Sequence, residues 1–212
     1  MKKIILLTIL LISLTGCVNI NSTSIENLVS TIKQSKLSLT NEYRNGFTYY
    51  LPVNMNVLSS DKANEVLTDG NYNYYLYADM ISFYNKTSFD YKENKTSYKS
   101  LNLKDDKASG YLEINQKNDK YLIEIMYNYA KIEVMVDKDK INEAISNSLI
   151  VISSIKFNKD IIENMLGKNV LSFSEEEFNI FETNSSTSNF LEIEKEFDTY
   201  EGDDIPDYDL VN

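Results

Sequence analysis

The 212-residue chain carries 21 basic and 32 acidic residues, a formal net charge of −11, one cysteine and no histidine. Without histidine it lacks the default general base and the commonest zinc and copper ligand. The single cysteine excludes an intramolecular disulfide, the lack of histidine excludes a Ser-His-Asp triad and a Cys-His pair, and together they leave no Cys/His metal centre; no cofactor is expected. Six glycines form no phosphate-cradling loop, and no basic cluster offsets phosphate charge, so no nucleic-acid partner is expected either.

The chain starts with Lys2 and Lys3, continues through an apolar run from Ile4 to Ile12, and reaches a small-residue border at Ser13-Leu14-Thr15-Gly16. That order is a secretory signal peptide, residues 1–16. The run is too short to span a bilayer, which needs about 20 residues of helix. Leu14-Thr15-Gly16-Cys17 resembles the lipobox of bacterial lipoproteins. The resemblance implies cleavage between Gly16 and Cys17 and a diacylglycerol on the Cys17 thiol. Its partner would be membrane lipid, and its place the extracytoplasmic face of the cell membrane. Two acyl chains give the double signal that stable anchoring requires. Residues 17–23 then read as lipidated cysteine and spacer.

Charge divides what remains. Residues 18–171 contain 18 basic against 19 acidic side chains, whereas residues 172–212 contain Lys195 against 13 acidic ones. The first stretch is long enough for one domain, taken as 24–171, and the second is expected to be a disordered acidic tail.

Thr23-Ser24-Ile25-Glu26 has capping-box spacing, and Ile25, Leu28, Val29 and Ile32 recur at helical spacing, predicting a helix over about 24–36. Phe47 to Leu51 reads as a strand stopped by Pro52, with a second extended stretch near 55–58. Tyr72 to Tyr84, dense in aromatic residues, is expected to be the longest and most central strand. Tyr111–Asn115 and Tyr121–Tyr127 form a hairpin around Asn118-Asp119, and Lys131–Val136 pairs with its second arm. Asp137 or Asp139 is expected to cap a helix striped by Ile141, Ala144, Ile145, Leu149 and Ile152. Ser154–Phe157 returns to the sheet, and a last helix over 159–166 stops at Gly167.

This order predicts an α+β fold, an antiparallel sheet flanked by helices. Gly46-Phe47-Thr48-Tyr49-Tyr50-Leu51-Pro52 and Ile152-Ser153-Ser154-Ile155-Lys156-Phe157 resemble the first strand and the helix-to-strand passage of the PsbP-like fold, over residues 24–158. The tryptophan that often follows the proline there has no counterpart, since the chain has none. The whole is also similar to a family of lipoproteins from low-GC Gram-positive bacteria, a resemblance that implies no activity.

Two features offer chemistry. Tyr72, Tyr74, Tyr75 and Tyr77 form a candidate binding surface for sugar rings or protein side chains, although neighbours in a strand point to opposite faces. Asp79, Glu113, Glu124 and Glu133 lie on predicted strands, where a pair 5 to 9 Å apart would suit glycosidic chemistry, about the range those mechanisms use. Asp203-Asp204-Ile205-Pro206-Asp207-Tyr208-Asp209 is acidic but lacks EF-hand spacing. The expected function is a non-catalytic, membrane-tethered binding or scaffolding domain with a protein or glycan partner; the alternative is a small envelope hydrolase using carboxylates.

Overall fold

A computed structural model describes residues 20–35, 37–105 and 108–166. The leader, Cys17, Gly167 and the segment 172–212 lie outside the described residues. Within them the fold is α+β, as expected: four α-helices and two antiparallel sheets, of three and seven strands.

Helix α1, Ile25–Gln34, opens the domain, followed by β1, Glu42–Tyr43, and β2, Phe47–Tyr49. Strands β3, Asn56–Asp61, β4, Asn64–Thr68, and β5, Asn73–Ala78, form a meander, and α2, Met80–Asn85, follows. Next come β6, Lys99–Asn102, β7, Gly110–Lys117, β8, Lys120–Tyr127, and β9, Ala130–Val136. Helix α3, Ile141–Ser153, then leads into β10, Lys156–Phe157, and α4, Lys159–Leu166. The large sheet runs β3-β4-β5-β9-β8-β7-β6, and the small one β1-β2-β10.

Two tight turns set the register at the middle of the large sheet. Asn118 joins β7 to β8 at φ +57°, and Asn128 and Tyr129 join β8 to β9 at +52° and +60°. Two-residue hairpin loops need these left-handed conformations to match the strand twist. At the start of β7 only glycine fits: a Cβ on Gly110 would lie 2.1 Å from the Met126 carbonyl oxygen.

The predicted stripe of α3 is buried throughout, with Ile145, Leu149 and Ile152 at 0% exposure. It lies against β8 and β9, and α1 packs beside it through Leu28 and Val29. Asn147 of α3 donates to Tyr74 Oη at 3.3 Å, and Tyr74 is the direct cross-strand partner of Val134. Helix α3 therefore covers the face of Tyr74, Leu76, Ile132, Val134, Ile123 and Ile125.

The small sheet is tied to the large one through a buried carboxylate. Glu65 of β4 accepts from Arg44 Nε and from Ser60 Oγ (2.8 Å) on one oxygen, and from Arg44 Nη2 (3.3 Å) and Tyr49 Oη on the other. Every strong acceptor position is used, which is the condition for keeping a carboxylate inside a protein.

Several sequence expectations require correction. Residues 72–84 do not form one strand: β5 ends at Ala78, and Asp79 turns the chain into α2 by accepting from the Ser82 N–H at 2.7 Å. The capping bond outweighs the strand preference of the aromatic residues beyond it. Nor is β5 longest or most central; β7 and β8 have eight residues against its six, and β9 occupies the middle position. Residues 154–157 do not rejoin the large sheet, because β10 pairs with β2 in the small one. Ser24, not Thr23, caps α1, accepting from the Asn27 N–H at 3.3 Å, while Glu26 pairs with Lys99. Neither Asp137 nor Asp139 caps α3: Asp137 precedes a 3-10 turn, Lys138–Lys140, and its carboxylate instead accepts from Tyr72 Oη at 2.6 Å.

Candidate functional site: a carboxylate row on the sheet

Strand pleating sends alternate residues to the face away from α3. Register then aligns one row across five strands. Tyr75 of β5 opposes Glu133 of β9, Glu133 opposes Glu124 of β8, Glu124 opposes Glu113 of β7, and Glu113 opposes Ser100 of β6. Direct cross-strand neighbours place their Cβ atoms about 4.5–5.5 Å apart, and like charges so placed repel. Three glutamates in adjacent rungs are thus a costly arrangement, and the surrounding groups show how it is held.

Glu113 is buried and fully engaged: Tyr91 Oη donates to Oε2 at 2.6 Å, and the side-chain amides of Asn94 and Asn115 donate to Oε1 at 2.9 and 2.8 Å. Tyr91 stacks on Tyr111 with ring centroids 4.5 Å apart and planes 11° apart, so the segment before β6 folds over this end of the row. Burial, and after it the bond to Glu113, push the Tyr91 phenol above its ordinary range, which keeps it a donor. Half-buried Glu124 accepts from Tyr111 Oη. Glu133 forms an ion pair with Lys131 on the same face, Nζ to Oε1 3.0 Å, both side chains nearly buried, without a hydrogen bond to that oxygen.

The structure therefore brings together three of the four predicted carboxylates and sets the fourth apart, since Asp79 is the cap of α2. Sequence reasoning missed Glu65, whose signal was an acid directly before the apolar pair Val66-Leu67 in a short run. The tyrosines divide between environments. Tyr75 and Tyr77 belong to the row's face, Tyr77 buried and Tyr75 half-buried. Tyr74 is buried under α3, its hydroxyl bonded to Asp69 Oδ2 at 2.6 Å. Half-buried Tyr72 lies beside it in a shallow cleft of about 10 Å³ lined also by Asp69, Lys140 and Glu143. Ligand pockets for drug-sized molecules usually occupy about 300–1,000 Å³, so this cleft has room for a single water and not for a sugar.

Among the described residues, no group of three or more acidic or cysteine side chains is arranged to hold a metal ion, and no helix is long and apolar enough to cross a membrane. No family model and no curated protein matches the chain.

Proposed function

We propose that the protein is a lipid-anchored domain on the extracytoplasmic face of the cell membrane, non-catalytic, binding a protein or glycan partner through the carboxylate row. The sequence Leu14-Thr15-Gly16-Cys17 supports the anchor. One observation carries the binding role: Glu113, Glu124 and Glu133 stand in consecutive rungs on the face away from α3, each already held by a hydroxyl, amide or ammonium group. Glu124 is the half-exposed member and presents an acceptor to a partner, held in place between buried Glu113 and Glu133. A general acid must instead be free to give its proton to a leaving group.

The spacing of the row favours one second reading, the carboxylate hydrolase. Neutralising the half-exposed member separates the two. Glu124→Gln relieves like-charge repulsion and is expected to raise stability by about 0.2–1 kcal/mol in a denaturant titration. It is also expected to reduce partner recovery when the protein is crosslinked in membranes and isolated in detergent. Unchanged recovery overturns the binding role, and loss of glycan-hydrolysing activity in the purified variant would establish the hydrolase instead.

A further inference from the structure

The two ends of the described chain lie at opposite poles of the large sheet. At one pole, the Asn142 side-chain amide, in the first turn of α3, donates to the Ile20 carbonyl at 2.9 Å and to the Thr23 carbonyl at 2.8 Å. The same pole holds the β7–β8 turn, because Lys120 pairs with Asp137 at 3.6 Å. It also holds the β4–β5 turn, through the Tyr72–Asp137 bond. At the other pole, the Asn128 amide meets the Ile155 carbonyl at 3.4 Å, Lys33 at the end of α1 pairs with Asp105 at 3.1 Å, and α4 packs on α2. Lys120 and Tyr127 mark the two ends of the intervening strand, eight residues or about 26 Å long at 3.3 Å per residue.

We propose that the domain stands on the bilayer with the Asn142 pole against the lipid headgroups, so that the carboxylate row lies on a wall roughly parallel to the membrane normal. This rests on lipidation at Cys17. Three residue steps separate Cys17 from Ile20, so the tether reaches at most about 11 Å, less than half the length of the sheet. The Asn142 bonds pin Ile20 where that tether begins, and Ile20 itself is exposed. Lysines 117, 120, 138 and 140 at this pole are matched by Asp119, Asp137, Asp139 and Glu143. The tether, not charge, therefore imposes the contact. The opposite pole, where α4 ends at Leu166, is the one from which the chain continues into its acidic segment.

The chain has no tryptophan, so a single introduced one reports position without interference. Full-length lipidated Asp119→Trp and Asp61→Trp proteins, substituted at exposed positions of opposite poles, one in the β7–β8 turn and one at the end of β3, are reconstituted into phosphatidylcholine vesicles containing a headgroup-nitroxide lipid. The expected result is several-fold stronger quenching at 119 than at 61, unchanged when phosphatidylglycerol is added. Inserting a long Gly-Ser spacer between Asn19 and Ile20 is expected to abolish the difference without touching the fold. Asn142→Ala is expected to weaken it. Co-floating protein whose two probes are equally quenched overturns the orientation alone, and so does a difference that survives the long spacer. Protein that does not float with the vesicles overturns the anchor and the orientation together.

Discussion

Asp79 is fully buried, with Oδ1 receiving the Ser82 N–H and Oδ2 lacking a hydrogen-bond partner. Burial raises its carboxyl above the ordinary range despite the capping bond. A carboxyl whose pKa is higher in the folded than in the unfolded state contributes stability below the unfolded value, and that contribution is lost as pH rises through the folded one. Asn retains the capping oxygen and carries no charge. Asp79→Asn is therefore expected to equal or exceed the parent's melting temperature at neutral pH, with the advantage shrinking as pH falls toward about 4, where the unfolded carboxyl protonates. Asp79→Ala loses the cap and is expected to cost about 1 kcal/mol. Glu65 is buried with hydrogen bonds on both carboxylate oxygens, from Arg44, Tyr49 and Ser60. Arg44→Ala strands it inside and is expected to cost about 3–5 kcal/mol in urea unfolding. A change below 1 kcal/mol, about the worth of an exposed pair, would show that Glu65 is hydrated.

Elements with a strong period were legible from the sequence. Helix α3 was, because five apolar residues recur on one stripe; so were the β7–β8 hairpin, marked by Asn118-Asp119 between two apolar runs, and α4, matched at 159–166. Ile145→Asp puts a charge into that stripe against β8 and β9, and is expected to destabilise by several kcal/mol, read as a fall in melting temperature. Short polar elements were not legible. Asn64-Glu65-Val66-Leu67-Thr68 and Lys99-Ser100-Leu101-Asn102 hold too few apolar residues to show a period, yet sheet neighbours make strands of them. Aromatic residues continue on both sides of Asp79, so only the cap's hydrogen bond reveals where strand becomes helix. The candidate site behaved likewise. Glu113, Glu124 and Glu133 were visible one by one, but their alignment depends on the register of three strands, a long-range property that the turns at Asn118 and Asn128 set together.

For the whole molecule, attachment is expected to depend on one atom, the Cys17 sulfur. Cys17→Ser leaves no thiol to receive a lipid, so the variant is expected to move from the detergent phase to the aqueous phase on temperature-induced separation. Retention in the detergent phase would mean that the leader itself anchors the chain. The opposed poles also have a mechanical meaning. A pull between a fixed N-terminal end and a partner gripping the chain beyond Leu166 loads α4 first, then β10, which is held to β2 at only two rungs, Lys156–Thr48 and Phe157–Phe47. The eight rungs between β7 and β8 lie behind that joint. Under tension the β10–β2 pair is expected to part first and lengthen the chain, a fuse that spares the sheet whose face carries the glutamates.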